Sequence, residues 1–484
     1  MKNPKLKKSK IEKSKIEHEK IQIRNFSNKE IPQEIIEILS LGLDHPVGGI
    51  PRKNTILNQF ELFFSQWSEY AHNNEIDLIK VTEIKSLLFL EFLKFCNCSS
   101  DMTNITKLKN FIKNNDDIIF CVIDKSKDIA IYNKNDYIKK LDDIYDPKNF
   151  EKIPNNPLKS DLRDLKSLIS EISIVLTKSD NWLICPIESI KRGYGLIKCH
   201  REGEPLRPII SGLNCLTSGS ETYLLNLIKP IVSECKYVIN STRKFNEHFR
   251  KIKDNFDPHK FEICSFDASS LFTSINVKRT VNYIIKKIYS KVDDFFPITP
   301  ETPKPPPKLL ITKLFMDVLL KYNSFETLGG FYRQKSGVSM GGKLSSAMAT
   351  IFVHMLEDQI ITKYIKKGVI SSYVRYVDDV FVIVKKGHKM KLLKEMNNFD
   401  KGLNWTIENM ENNKLVFLDT QIVLENSKLD LYQYRKPNTS QVLTNYKFGV
   451  SPKSYKNGLI SGEVFRAKNC TTSEKHLMKH LMKP

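Results

Sequence analysis

The chain has 484 residues, 40% hydrophobic and 27% charged, enough to bury a sizeable core and to divide into roughly two to four domains or subdomains. Lysine and arginine number 76 against 55 acidic residues, a net charge of +21, which suits nucleic acid first and an acidic membrane surface second. No run approaches the roughly 18 apolar residues of a membrane span, and the N-terminal MKNPKLKKSK lacks the apolar core of a signal peptide.

Nine scattered cysteines form neither a disulfide framework nor a zinc pattern, even at Cys96/Cys98 or at Cys199 beside His200. They read as reduced thiols of the cytosol or nucleus.

Residues 1–30 are lysine-rich with little apolar content, as in a disordered basic tail, and Pro4–Lys10 also suits a nuclear import signal or a phosphate contact. No longer repeat follows. Apolar spacing predicts helices over Gln33–Leu41, Leu57–Tyr70 and Glu83–Phe95, interrupted by a turn-rich Leu43–Arg52. Strands follow at Ile118–Ile123 and Ile129–Tyr132 around a polar turn, with a helix opening near Asn135. After an amphipathic helix over Asp161–Lys178, two extended segments flank a basic turn carrying Lys198, His200, Arg201 and Arg207. That turn is either a solvated hairpin end or a phosphate-gripping finger.

Glu262–Phe266 predicts a short strand ending on Asp267, before a small-residue turn and a helix from about Lys278. A strand-end carboxylate is a common metal ligand and, alone, weak evidence. Pro297–Lys308 is a proline-rich surface excursion. In Phe331–Val353, glycines 337, 341 and 342 lead into a helix with an Ala/Met/Phe face. Such a loop lets backbone approach a ligand, and the helix N-terminus favours anions.

Two runs of β-branched and aromatic residues over Ser371–Val384 then flank Asp378 and Asp379, predicting a hairpin with both carboxylates at its tip. Fixed side by side they repel unless a cation sits between them, and Mg²⁺ favours carboxylate oxygen. Beyond lie a helix over Met390–Phe399, strands over Leu403–Asn409 and Lys414–Leu424 around Asn412–Asn413, and a helical-looking end at Pro484.

Tyr376–Asp379 (YVDD) is similar to the [YF]-x-D-D motif of reverse transcriptases, Phe266–Phe272 (FDASSLF) resembles their D-x-x-x-x-[FY] motif, and GVSMGGKLSSAMATIFV resembles the Gly-rich motif between. Arg192–Ser211, SLFTSI, Met340–Gly341, Phe417–Thr420 (FLDT), Tyr434–Pro437 (YRKP) and Ser454–Ala467 further resemble the Penelope-like retroelement branch. These blocks span roughly 118–468. The resemblance implies an α+β right-hand polymerase. A basic tail (1–30) and a helical N-terminal extension (31–117) would precede fingers contacting template (118–260). An antiparallel palm sheet backed by helices (261–425) and a primer grip with partial thumb (426–484) would follow.

It also implies RNA-directed DNA polymerase activity with RNA template, DNA primer and deoxynucleotides as partners. The chemistry is two-metal Mg²⁺ catalysis, with Mn²⁺ as a substitute and ions about 4 Å apart. Asp267 and Asp378 would bridge both ions, helped by Asp379 and the Ala268 carbonyl. Phe272 would lie under the sugar and reject a 2′-hydroxyl. Arg207 and Lys198 would grip the triphosphate, and Met340, Gly341 and Gln334 would line the nucleotide pocket. Lys414 would protonate pyrophosphate, while Arg435 and Lys436 would meet primer phosphate.

The family's prolines and asparagine are replaced here by Lys343, Ser346 and Thr350, which puts fidelity or activity in doubt. No GIY-YIG endonuclease motif is found, so the chain reads as a fragment or as an endonuclease-lacking kind. Two alternatives to the retroelement enzyme stay open, a silent nucleic-acid-binding remnant and a cellular telomere-associated reverse transcriptase. The expected location is the nucleus, with the cytoplasm as the alternative.

Overall fold

The structure is a computed structural model that describes residues 21–42, parts of 58–89, 103–126, 128–177, 180, 184–199, 202–296, 304–434 and 453–472. It divides into two compact units: 1–134 with 438–456, and 135–437 with 457–484. No helix among the described residues is long and apolar enough to cross a membrane.

In the first unit, β1 (Ile23–Asn25) runs parallel to β3 (Ile129–Asn133), which pairs antiparallel with β2 (Ile118–Val122). Pro32 fixes the entry of α1 (Gln33–Leu39), and α2 is Thr103–Asn114. Ile35 and Leu39 meet Ile118, Ile129 and Ile131 in a small aliphatic core. The described positions of Leu57–Tyr70 and Glu83–Phe95 are helical, as expected. Pro4–Lys10 and Leu43–Arg52 lie outside the described residues.

The second unit carries two larger sheets. After α3 (Lys134–Ile144), the strands β4 (Phe150–Ile153), β5 (Lys191–Ile197) and β6 (Leu206–Ser211) enter a five-stranded sheet. They are joined by β8 (Ser324–Thr327) and β9 (Gly330–Gln334) in the order β4-β9-β8-β5-β6. Tyr145, Phe150, Phe325 and Tyr332 form the aromatic core behind it, with ring centroids 5.0–6.0 Å apart. The stretch 324–334 thus leaves the run of the palm and completes the sheet of the 191–211 hairpin.

The other sheet is antiparallel throughout, in the order β10 (Ile370–Tyr376), β11 (Asp379–Lys385), β7 (Phe261–Ser269), β12 (Asn404–Asn409). Helices back it, as expected for the palm of an α+β fold. They include α4 (Leu158–Ser173), α5 (Ser218–Ser233), α8 (Val277–Ser290), α9 (Lys308–Met316), α10 (Ser345–Leu356) and α11 (Lys389–Asn397). Cys264, Phe266, Ala268, Val380, Val382, Val384 and Trp405 face this helical core.

Strand side chains alternate between faces. The opposite row, Ile263, Val374, Phe381 and Ile383, packs on Phe245 and Phe249 of α6 (Thr242–Ile252) and on a three-stranded meander. That meander is β13 (Lys414–Phe417), β14 (Thr420–Glu425) and β15 (Lys428–Gln433). The expected single strand Lys414–Leu424 is therefore two strands, because the chain reverses at Leu418, whose φ is +53°. The Asn412–Asn413 turn does form, with φ of +49° and +59°, but β12 before it and β13 after it belong to different sheets.

The last described helix, α12 (Lys453–Cys470), ends against this meander, where Thr472 N donates to the Leu431 carbonyl (3.0 Å). The rest of the expected thumb, most of the proline-rich excursion, and Arg435 and Lys436 lie outside the described residues.

Candidate active site

The site is built one row past the described apolar cover on the second face of the palm sheet. Asp267 stands directly opposite Asp379 in the β7–β11 register, so both carboxylates leave the same face, one row beyond Phe381. Asp267 is not at a strand end: pairing with β12 from Asn404–Ser269 to Asn409–Cys264 carries β7 two residues past it. Nor does the hairpin tip hold both acids. The tip is Val377–Asp378, closed by the Tyr376–Asp379 pair, and Asp379 opens β11.

The backbone of the tip is strained and tethered. Val377 has φ +56°, rare for a β-branched residue. The Asp378 carbonyl accepts the Ala268 N–H at 3.3 Å. Ala268 is thereby joined to the tip through its N–H, while its side chain is buried among the helices.

Among the described residues, no three His, Cys, Asp or Glu side chains close into a metal cage. Mg²⁺ does not need one. It binds through one or two carboxylates, retained water and substrate phosphate. The paired hard oxygens of Asp267 and Asp379, with Asp378 on the adjoining turn, fit that requirement.

The Gly-rich loop joins the other expected groups to this row. Val338 N donates to the carbonyl of Phe272 (2.8 Å), and a Cβ on Gly337 (φ +67°) would lie 2.4 Å from that same oxygen. Further along, Ile210 N donates to the Met340 carbonyl (2.8 Å) and Gly212 N to the Gly341 carbonyl (3.2 Å). A Cβ on Gly341 (φ +114°) would lie 2.7 Å from the Ile210 carbonyl. Only glycine permits both approaches. The loop thus bridges the Phe272 turn and the strand of Arg207.

Phe272, in the short helix α7 (Leu271–Ser274), is half-buried against the helical core. Arg207 pairs with Leu196 on β5, and Lys198 lies two residues beyond Leu196, so strand alternation sets both cations on one face of the hairpin. Arg192 and Tyr194 share that face and are exposed. They are an Arg–aromatic pair that the alternation in RGYGLI signals but that sequence reasoning passed over.

Two expected residues stand elsewhere. Gln334 is 1% exposed, and its amide nitrogen donates to the Ser336 carbonyl (2.8 Å) inside the five-stranded sheet, so it presents no side chain to a nucleotide. Lys414 is exposed on the meander, in a different sheet from the aspartates and paired in backbone with Glu411 and Val423. The structure does not bring it to them.

The anion ahead of α10 is the protein's own. Glu221 Oε2 accepts from Lys343 N (2.8 Å) and Leu344 N (3.5 Å), while Oε1 accepts from Lys191 Nζ (2.9 Å) and Thr217 (2.7 Å). Burial alone would raise the Glu221 pKa, but the Lys191 charge together with the hydrogen bonds from Lys191, Thr217 and the Leu344 N–H outweighs it, and the carboxyl sits below its ordinary range. Asn323 completes the network, accepting from Lys191 (3.1 Å) and Ser339 (2.7 Å). The network explains one departure from the family motif. A proline in place of Lys343 would have no N–H for Glu221. The Lys343 ammonium also turns back to Thr222 (3.0 Å) on α5.

A family model described as Reverse transcriptase (RNA-dependent DNA polymerase) matches residues 200–424, which contain all three aspartates, Phe272, Arg207 and the Gly-rich loop. No curated protein matches the chain. Among solved structures it is similar to telomerase from Candida albicans with a TWJ fragment of telomeric RNA. The identity is 12% and the TM-score 0.48, covering 80% of this chain and 66% of that one. It is also similar to apo telomerase from Candida tropicalis truncated from its C-terminal domain, at 12% identity and TM-score 0.44, covering 64% and 63%. A third is the Sicinivirus 3Dpol RNA-dependent RNA polymerase, at 12% identity and TM-score 0.36, covering 66% and 67%. This chain spans less than two thirds of the length of the two telomerases. Residues 200–424 are thus similar to a reverse transcriptase domain.

Proposed function

We propose that this chain is an RNA-directed DNA polymerase of a Penelope-like retroelement, acting in the nucleus and adding deoxynucleotides to a primer 3′-hydroxyl on an RNA template. The observation that carries the reading is the pairing of Asp267 with Asp379 on one face, beside the tethered Asp378 turn, inside the matched domain.

Asp267, Asp378 and Asp379 would hold Mg²⁺, which when bound activates the 3′-hydroxyl and neutralises charge on the departing pyrophosphate. The residues do the positioning. Arg207 and Lys198 present cations from one hairpin face for the triphosphate. The Gly-rich loop fixes the distance from that hairpin to Phe272. Phe272, half-buried against the helical core, takes the sugar and selects against a 2′-hydroxyl. The Penelope-like assignment rests on the motif blocks between Arg192 and Ala467.

The test is primer extension by the full chain with Mg²⁺, a DNA primer on an RNA template and labelled deoxynucleotides. Extension should occur and vanish in Asp378→Ala. No extension above that control would leave only a nucleic-acid-binding protein. Equal use of ribonucleotides would remove the role given to Phe272.

A further inference from the structure

On the helix-covered face of the palm sheet, one fully buried charged side chain stands among the apolar ones. Arg375, the residue before YVDD, is 0% exposed. Its Nε donates to Glu357 Oε1 (2.6 Å), and one Nη donates to Glu357 Oε2 (3.3 Å) and to the Thr350 carbonyl (3.2 Å). The other Nη donates to the Val377 carbonyl at 3.0 Å, in the turn that carries Asp378.

Glu357, equally buried, opens a π-helical stretch (Glu357–Ile361) that follows α10, the helix growing out of the Gly-rich loop. It also accepts from the Tyr373 hydroxyl (3.2 Å). Such π-bulges are frequent at functional sites.

Stability alone does not account for the pair, since a well-packed apolar replacement of a buried ion pair is often as stable or more so. An apolar side chain cannot, however, hold a carbonyl. Val377 is in the left-handed region, a conformation that persists only when its surroundings impose it. Arg375 clamps the carbonyl on one side of Asp378, and Ala268 N–H holds the carbonyl of Asp378 itself.

We propose that Arg375, locked by Glu357, is a positioning residue that ties the helix of the Gly-rich loop to the acidic turn and holds Asp378 ready for metal. It rests on the polymerase reading, because it gives the turn a metal to bind.

The test uses the full chain and Mn²⁺ as probe, titrated by electron paramagnetic resonance, alongside kcat and KM for single-deoxynucleotide extension and thermal melting. Arg375→Lys keeps the charge without the fork. Arg375→Met combined with Glu357→Leu removes the pair while leaving no charge buried alone. Both variants should melt cooperatively, bind Mn²⁺ about 10–100-fold more weakly and lose kcat in proportion, with KM for the deoxynucleotide little changed. Native Mn²⁺ affinity and kcat in a folded variant would overturn the proposal, as would loss of cooperative melting in both, which would make the pair a fold element only. If the unaltered chain binds Mn²⁺ no better than Asp378→Ala, the polymerase reading itself fails, and the role of Arg375 with it.

Discussion

One face of the β10–β11–β7–β12 sheet is apolar apart from the buried Arg375 and, at the end far from the aspartates, Glu262, whereas the other is apolar only as far as Phe381 and Ile263. The same strands make both faces, and their alternation decides what each does. On the first, Val380, Val382, Val384, Phe266 and Trp405 lie under helices, so the sheet cannot shift without opening the large helical core. On the second, α6 and the meander cover the strands until the row of Asp267 and Asp379. Carboxylates in the proposed catalytic role would need water, substrate and metal on one side and immobility on the other. Placing them one row beyond Phe381 gives both.

The comparison is broken most strongly by changing the charged row. Asp267→Asn should lower primer extension on the order of 10³-fold or more, since the proposed Mg²⁺ site would lose one of its carboxylates. Thermal melting should stay cooperative, because that row supports no core. A large loss of stability in Asp267→Asn would mean that the row is part of the packing and that the two faces do not divide their labour.

One row away the expectation reverses. Phe381 is fully buried between Phe245, Phe249 and Phe417, with ring centroids 5.2, 6.3 and 5.8 Å away. Phe381→Ala should cost about 3–5 kcal/mol by denaturant unfolding, from lost burial and the cavity left behind. Extension by the fraction that remains folded should fall much less than in Asp267→Asn. A near-native unfolding midpoint would show that the meander closes over the gap, and that this cover is softer than the helical one.

How far the sequence reveals this layout depends on the span of each interaction. The DVFVIV run announces a strand buried on both faces, and YVDD with FDASSLF points to the acidic row, because period-two patterning and short motifs are local signals. The Val377–Asp378 tip was misplaced by one residue, since only the register with β10 fixes where a hairpin turns. Lys414 was assigned to the site from its place in the chain, but the reversal at Leu418 puts it on the meander. The five-stranded sheet draws on 150–153, 191–211 and 324–334, and the Lys191–Glu221–Asn323 network closes over comparable separations. Nothing in the spacing of such residues reports that they meet. Glu357 is the hardest case, because its contact with Arg375 depends on a π-helical register that the apolar pattern of α10 does not announce.

The smallest effect separates the covers of the two faces by pH. His248 lies on α6, and its Nε2 is 2.8 Å from Ser372 Oγ on β10. Burial, and then the nearby Lys251 charge, hold its pKa below the ordinary 6.5. The unfolded chain therefore binds the proton more readily than the folded one, so stability is full above about pH 6.5 and declines as pH falls towards the lower folded value. Glu221 and Glu357 shift the other cover in a different window. Both are held below the ordinary carboxyl value of 4.5 by Lys191 and Arg375 against the effect of burial, so their contribution is complete above pH 4.5 and lost only below it. Thermal melts between pH 5 and 8 should thus show a downward slope below about 6.5, at most about 1.4 kcal/mol for each unit that His248 is shifted. His248→Gln, which keeps a partner for Ser372, should flatten that slope. A slope that survives the substitution would place the titrating group elsewhere and remove the α6 cover as the pH-sensitive half of the pair.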